Sequence, residues 1–221
     1  MKKASKIIAI FIFTMSIFVG VGAVEVFADT ASQTNTVNEP VKFIAKQKGK
    51  KVVLKWNKSK NVKGYIIYKN GKKFKTLKKN KLIDKKVKKN KVYSYKIKAY
   101  TFANGKKVFS NSGQTVSIIV TDKKSKKVNA GRFKYIKNQY TISLNGKVKL
   151  QGEAYPSKKL KKKKVLSRKL TWSSSDTSLA TVNARGVVKA NNNMKTGTVI
   201  IYAKAHNGLT KKVKINIENY A

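Results

Sequence analysis

The feature that most constrains the fold is a series of short segments in which apolar and polar residues alternate. Residues 92–100 show the pattern most clearly, with Tyr93, Tyr95, Ile97 and Ala99 at alternate positions. Successive side chains of a strand point to opposite faces, so this alternation predicts a strand with one buried face. No segment has a convincing helical period over ten or more residues. The chain is therefore predicted to be all-β.

Asn-Gly pairs lie between several of these segments. Both residues tolerate the positive φ angles that a tight hairpin turn requires. We expect hairpins at four such pairs, Asn70-Gly71, Asn104-Gly105, Asn145-Gly146 and Asn207-Gly208. Many short strands with regularly spaced turns are typical of antiparallel β-sandwiches, and the 221-residue length has room for two of them in tandem.

The pattern divides the chain into five parts. A signal peptide at 1–28 is followed by a flexible lead-in rich in Thr, Asn, Ser and Gln at 29–39. A first sandwich is predicted at 40–120 and a second at 132–221. Between them, residues 121–131 contain several lysines and few bulky apolar residues, which predicts a linker.

The N-terminal segment has the pattern of a secretory signal. Three lysines precede an apolar stretch at 7–24, and Val26-Phe27-Ala28 offers small residues at the two positions that a signal peptidase inspects. The alternative is an uncleaved membrane anchor, because the stretch is close to the lower length limit of a spanning helix. Its Thr, Ser and Gly residues favour the signal. We expect an extracellular or envelope-associated protein with no transmembrane segment after cleavage.

The net charge of +44 is the strongest compositional feature. The chain has 52 Lys and Arg residues against 8 Asp and Glu, and only Arg132, Arg168 and Arg185 are arginines. Such an excess attracts anionic cell-wall polymers or glycans, although a solvated lysine-rich surface is the simpler alternative. The shortage of arginine, which supplies a bidentate fork, argues against sequence-specific nucleic-acid recognition.

Two lysine-dense segments are the candidate polyanion-binding residues. One lies in each predicted sandwich. Their members are Lys85, Lys86, Lys88 and Lys89 in the first and Lys158, Lys159, Lys161, Lys162, Lys163 and Lys164 in the second.

The first half resembles a fibronectin type III domain. The resemblance rests on Pro40, Trp56, Gly64-Tyr65-Ile66-Ile67-Tyr68, Asp84, the strand from Tyr93 to Ala99, and Ser110-Asn111. It implies that Trp56, Tyr93 and Tyr95 lie in the core. It also implies that Tyr93 makes the corner hydrogen bond that ties a loop to the sheet.

The second half is similar to the bacterial immunoglobulin-like group 2 domain. The matching residues are Leu170-Thr171-Trp172-Ser173-Ser174-Ser175-Asp176, Ala180-Thr181-Val182, Gly186-Val187-Val188, Gly197-Thr198 and Ala203-Lys204-Ala205. The resemblance implies core positions for Trp172, Ala180 and Val182. The basic stretch 158–169 departs from the family pattern. Neither family carries a catalytic signature, so both resemblances imply a module of an exported or surface protein.

The ionisable residues do not predict catalysis. The acids are scattered, and Asp84 and Asp176 have the spacing of structural turn residues. His206 is predicted to be an exposed turn residue. With a single His and no Cys, we expect neither a metal nor a cofactor site.

These features predict a noncatalytic interaction protein held at the bacterial envelope by its lysine-rich surface. One alternative is a carbohydrate-binding or adhesin module that recognises a defined ligand through its loops. Another is an accessory subunit of an extracellular enzyme. The sequence leaves the ligand and the oligomeric state open.

Overall fold

The computed structural model describes residues 37–111, 113–192 and 194–219. The predicted signal peptide and most of the lead-in lie outside them. Among the described residues, no helix is long and apolar enough to span a membrane. Two β-sandwiches follow one another along the chain, as the sequence predicts.

In the described part of the chain, the first sandwich contains eight strands in two antiparallel sheets. A three-stranded sheet has the order β1-β2-β5, and a second sheet has the order β4-β3-β6-β7, with β8 also paired to the long strand β6. The strands are β1 (Ile44–Lys48), β2 (Lys51–Lys55), β3 (Gly64–Lys69), β4 (Lys72–Leu77), β5 (Lys81–Asp84), β6 (Val92–Ala103), β7 (Lys106–Phe109) and β8 (Gln114–Ile119).

The inner faces of these sheets form an aromatic and aliphatic core. The ring of Trp56 packs edge-to-face against Phe43 and Tyr65, with ring centroids 6.0 and 5.3 Å away. Tyr95 is fully buried in the same cluster, and Tyr93 packs against its margin. The backbone N–H of Lys88 donates a 2.8 Å hydrogen bond to the Tyr93 hydroxyl. This bond ties the loop after β5 to the sheet.

The second sandwich is built from a four-stranded sheet and a three-stranded sheet, with two short strand pairs beside them. The orders are β11-β19-β18-β15, β12-β17-β16, β10-β13 and β14-β9. Its strands are β9 (Lys127–Val128), β10 (Arg132–Lys134), β11 (Gln139–Ser143), β12 (Lys147–Lys149), β13 (Glu153–Tyr155), β14 (Lys164–Val165), β15 (Thr171–Ser174), β16 (Ala180–Val182), β17 (Val187–Ala190), β18 (Gly197–Lys204) and β19 (Thr210–Glu218). A 3₁₀ turn, η1 (Lys158–Leu160), precedes β14.

The core of the second sandwich lies between its two larger sheets. Ala180 is fully buried there, beside Val188 and Ile201. Trp172 and Val182 are partly buried and pack against the same cluster.

Three of the four Asn-Gly pairs form hairpin turns. Asn70-Gly71 and Asn104-Gly105 have the positive φ angles of such turns, and Asn207-Gly208 joins the paired strands β18 and β19. The prediction for Asn145-Gly146 was wrong, because β11 and β12 belong to different sheets. At that point the chain crosses from one sheet to the other.

The crossing also produces parallel pairing. β11 does not pair with β12, the next strand along the chain. It pairs instead with the last strand, β19, and the two run parallel. β9 and β14 are parallel as well. The second sandwich is thus mixed at its edges, although its other pairings are antiparallel.

The segment 121–131, predicted as a linker, is hydrogen-bonded to the first sandwich. The side-chain amide of Gln47 donates to Thr121 O at 2.7 Å, and the Thr121 N–H donates back to Gln47 Oε1 at 2.8 Å. The Asn129 side chain pairs with both backbone groups of Ile119 in the same way. Residues of this segment, including Val128, are buried, so it forms part of the packed structure.

The β18–β19 turn docks on the first sandwich. The Ala45 N–H donates to Asn207 O at 2.9 Å, and the Ser117 N–H donates to His206 O at 2.6 Å. The prediction that His206 is exposed was wrong: both ring nitrogens are shielded from solvent. Burial lowers the pKa of His206 below its ordinary value, against the opposing influence of the Ser167 backbone. We call these backbone contacts the inter-sandwich joint.

Candidate functional site

The two predicted lysine clusters converge on one connecting segment. The Lys89 ammonium lies 3.7 Å from the Asp122 carboxylate. From the other side, Lys163 Nζ donates to Lys123 O at 2.6 Å and to Ser125 O at 2.8 Å. The segment Asp122–Ser125 therefore lies between a lysine of the first sandwich and a lysine of the second.

Further hydrogen bonds fix this arrangement. The buried Ser125 hydroxyl lies between Asn90 Oδ1 and Asp122 Oδ1. The Lys164 N–H donates to Lys126 O at 3.2 Å, at the start of the β9–β14 pair. The connecting segment is thus bonded to the first cluster through the Lys89 side chain and to the second through the Lys163 side chain and the Lys164 backbone. The other lysines of the two clusters are exposed.

We call the resulting surface the basic strip. It comprises the lysines of both predicted clusters together with four that the sequence analysis did not assign to a site. Its members are Lys85, Lys86, Lys88, Lys89, Lys123, Lys124, Lys126, Lys127, Lys158, Lys159, Lys161, Lys162, Lys163 and Lys164. All are exposed except Lys163, which is half-buried because it holds the connecting segment.

Few carboxylates oppose this charge. Within the segments that form the strip, Asp122 is the only acidic residue. Hydrogen bonds from the Ser125 side chain, then from backbone N–H groups, lower its pKa despite some desolvation, and Lys89 adds to the effect. It stays ionised at neutral pH, but one carboxylate cannot neutralise so many ammonium groups. The strip carries a dense positive potential that falls off with salt.

A buried ion pair anchors the first cluster. Asp84 is 1% exposed and immediately precedes Lys85. Its Oδ2 lies 2.6 Å from Lys69 Nζ and accepts a 2.7 Å hydrogen bond from the Tyr95 hydroxyl. Its Oδ1 accepts a 2.8 Å bond from the Lys86 N–H.

Lys69 is held from several directions. Besides the Asp84 carboxylate, its ammonium donates to Lys86 O at 2.7 Å. It also lies 4.5 Å from the centre of the Tyr93 ring and 5.2 Å from that of Phe74. This lysine is a structural cation and contributes nothing to the basic strip. The role of Asp84 is structural too.

The remaining sequence candidates for chemistry are dispersed. Asp176 caps a local turn by accepting from the Ser178 N–H at 2.8 Å and from the Ser178 hydroxyl at 2.6 Å. Those two bonds lower its pKa. His206 is enclosed at the inter-sandwich joint. Among the described residues, no three His, Asp or Glu side chains are grouped so that they could hold a metal ion.

Surface hollows flank the strip. One, of about 370 Å³, lies beside Lys88 and Lys89 against Thr121. A second, of about 510 Å³, lies at the inter-sandwich joint among Ala45, Val128 and Leu160. Both are open to solvent, which suits contact with an extended polymer better than enclosure of a small substrate.

Comparisons with known proteins give matches among solved structures only. No protein-family model matches the chain, and no curated protein matches it. Among solved structures, a β-1,2-glucanase from Parabacteroides distasonis is 26% identical over 40% of this chain and 13% of its own, with a TM-score of 0.35. The spore cortex lytic enzyme SleM of Clostridium perfringens is 23% identical over 39% of this chain and 28% of its own, with a TM-score of 0.31.

A third match covers more of the chain. The central fibronectin-III array of RIM-binding protein is 13% identical over 85% of this chain and 71% of its own, with a TM-score of 0.33. The chain spans less than a third of the length of the two enzymes. No functional conclusion follows from these matches. The paired sheets themselves make both halves immunoglobulin- and fibronectin-like sandwiches.

Proposed function

We propose that this protein is a noncatalytic, exported interaction module that binds anionic polymers of the bacterial envelope through the basic strip. The observation that carries the proposal is the convergence of the two lysine clusters on residues 122–127. A surface that spans both sandwiches can follow several successive charges of a polymer.

The composition of the strip supports a delocalised mode of binding. It contains lysine and no arginine, so it offers mobile point charges in place of the planar fork that matches one phosphate or carboxylate. Crowding of like charges costs folding free energy at low salt. A bound polyanion would relieve that cost. Affinity should therefore depend on charge density and ionic strength more than on polymer sequence.

Retention on cell walls with and without teichoic acid tests this proposal. We expect the purified protein to bind teichoic-acid-containing walls at low salt and to elute as salt rises through about 0.15 M, where the screening length is about 8 Å. Each lysine near an anionic surface contributes about 1 kcal/mol. Replacing Lys158, Lys159, Lys161, Lys162 and Lys164 with Gln should therefore weaken binding at low salt by at least about a hundredfold.

The matched control removes the same charge elsewhere. Lys58, Lys60, Lys147, Lys149 and Lys189 are exposed and lie outside the strip. Their replacement by Gln should change retention far less. Equal losses in the two variants would show that net charge alone is responsible and would contradict the strip. Salt-resistant binding would contradict the electrostatic mode.

A further inference from the structure

Two of the three arginines, Arg132 and Arg168, lie beside the ring of Tyr155. On the antiparallel pair β10–β13, Arg132 lies directly opposite Tyr155 and Lys134 directly opposite Glu153. The alternate residues Phe133 and Ala154 face inward to a small core cluster. The pleat therefore places Arg132, Lys134, Glu153 and Tyr155 together on the outer face.

Arg168 joins them from a neighbouring segment. Its backbone carbonyl accepts a 2.9 Å hydrogen bond from the Ala154 N–H, which lays it alongside β13. Its guanidinium lies 4.8 Å from the centre of the Tyr155 ring and 3.4 Å from the Glu153 carboxylate. Lys134 Nζ is 4.5 Å from the same ring centre, and the Arg132 guanidinium is 5.8 Å away.

These cations exceed the carboxylates beside them. Arg132, Lys134 and Arg168 supply three positive charges, and Glu153 supplies one negative charge. Arg132 Nε donates to Pro156 O at 3.0 Å, which orients its guanidinium. The cluster thus keeps a net positive charge on a fixed scaffold. In a protein whose cations are almost all lysine, it presents the planar forks that match a single carboxylate or phosphate.

Tyr135 supplies an exposed aromatic surface next to this charge. It is 63% exposed, and its ring meets Tyr155 edge-to-face with centroids 6.2 Å apart. Its backbone has φ +62°, a left-handed conformation that is unfavourable for a bulky residue by about 1–2 kcal/mol. Burial does not compensate for this strain. Residues held in such sparsely populated backbone conformations cluster at active sites and ligand clamps.

We propose that Tyr135, Tyr155, Arg132, Lys134 and Arg168 form a binding site for a saccharide ring that carries a carboxylate or a phosphate. The open face of Tyr135 packs against the sugar ring, and the guanidinium groups bind its anionic substituent. We name this group the tyrosine–arginine site. It differs in chemistry from the basic strip and does not depend on it, because it recognises one anionic ring through shape as well as charge.

Titration of the full-length protein by ¹H–¹⁵N NMR at about 0.15 M salt, where long-range attraction is screened, tests the proposal. The probes are galacturonate, glucose 6-phosphate, glucose, inorganic phosphate and phenyl phosphate. We expect saturable shifts at Tyr135, Tyr155 and Arg168 with the two anionic sugars, and binding at least about tenfold weaker for glucose and for phosphate. The first two probes distinguish a carboxylate from a phosphate substituent.

Single substitutions locate the site. Tyr135→Ala and Arg168→Gln should each weaken binding of the better anionic sugar by about tenfold, since stacking and charge-assisted hydrogen bonds contribute on that scale. Both side chains are exposed, so both variants should remain folded. Arg185→Gln is the matched control, because Arg185 is the third arginine and its turn, formed with Asn183, contributes no residue to the proposed site. It should leave affinity unchanged.

Several results would overturn the proposal. The absence of saturable binding by either anionic sugar would do so. Equal affinity for inorganic phosphate would show that the aromatic surface has no part in binding. Equal affinity for phenyl phosphate, whose phosphate is carried by a ring that is not a sugar, would contradict the saccharide assignment. Unchanged affinity in Tyr135→Ala would likewise show that the aromatic surface has no part in binding. None of these outcomes bears on wall retention through the basic strip.

Discussion

Replacing Asp84 with Asn is expected to lower the free energy of unfolding by about 3–5 kcal/mol, because it leaves the Lys69 ammonium enclosed without its carboxylate. The Asp84 side chain is fully enclosed and Lys69 nearly so. The substitution also weakens the hydrogen bonds from Tyr95 and from the Lys86 N–H. Urea unfolding of both proteins, followed by tryptophan fluorescence, measures the difference.

Two further variants separate the ion pair from general effects. Asp176→Asn removes an exposed carboxylate that bonds only within its own turn, and it should cost about 1 kcal/mol or less. The double variant Lys69→Met/Asp84→Asn removes both buried charges, so it should regain part of the loss. If Asp84→Asn were no more damaging than Asp176→Asn, the enclosed pair would not be a major source of stability.

The same pair makes stability depend on pH in the acid range. Burial by itself raises the pKa of Asp84, but hydrogen bonds from Lys69, Tyr95 and the Lys86 backbone outweigh burial, and the pKa lies below its ordinary value of 3.8. A carboxylate with a lowered pKa stabilises the fold fully above its unfolded-state pKa, about 3.9, and loses that contribution as the pH falls through the folded-state pKa. The stability difference between wild type and Asp84→Asn should therefore be constant near neutral pH and shrink below about pH 4. A difference that stays constant down to pH 2 would contradict this.

Replacing Gly208 with Ala is expected to cost about 3 kcal/mol or more and to open the inter-sandwich joint. The φ angle of Gly208 is +83°, and a Cβ atom there would overlap the carbonyl oxygen of Phe43 in the first sandwich. The backbone of Phe43 and that of Gly208 cannot move apart unless the β18–β19 turn separates from the first sandwich. The alanine therefore adds overpacking, typically 1–3 kcal/mol, to left-handed strain of about 1–2 kcal/mol.

Gly71 provides a closely matched control. Its φ angle is +82°, but a Cβ atom there would meet nothing within 4 Å. Gly71→Ala should thus cost only the strain of the left-handed backbone. Hydrogen exchange gives a second measurement: in Gly208→Ala the Ala45 and Ser117 amides, which donate across the joint, should lose protection. Equal costs at Gly71 and Gly208, with protection retained, would show that the docking contributes little.

Local backbone chemistry explains which parts of the fold could be predicted. The turns at Asn70-Gly71 and Asn104-Gly105 follow from the φ angles of those residues, and the alternation at 92–100 follows from the pleat. The same reasoning failed at Asn145-Gly146, because a dipeptide does not determine whether the flanking strands pair. It failed again at His206, where a turn that would be exposed on an isolated sandwich is covered by another domain.

For the candidate sites, too, the sequence predicts local features but not the contacts that tertiary structure creates. Dense lysine runs are visible in the sequence, but the bonds from Lys163 that unite them around residues 122–127 depend on tertiary structure. Nothing in the sequence distinguishes Lys69, which is enclosed, from its many exposed counterparts. The tyrosine–arginine site was missed because Arg132, Tyr155 and Arg168 are far apart in the chain. The scarcity of arginine was a usable signal, since it makes each arginine worth locating.

The backbone character of the inter-sandwich joint has an evolutionary consequence. Its bonds from Ala45 to Asn207 and from Ser117 to His206 join main-chain atoms, which every substitution except proline preserves at the donor. Surface side chains can consequently diversify without changing how the two domains are connected. Related proteins could therefore differ in the charge of one face or in their loops and still keep the same distance between the binding surfaces of the two domains.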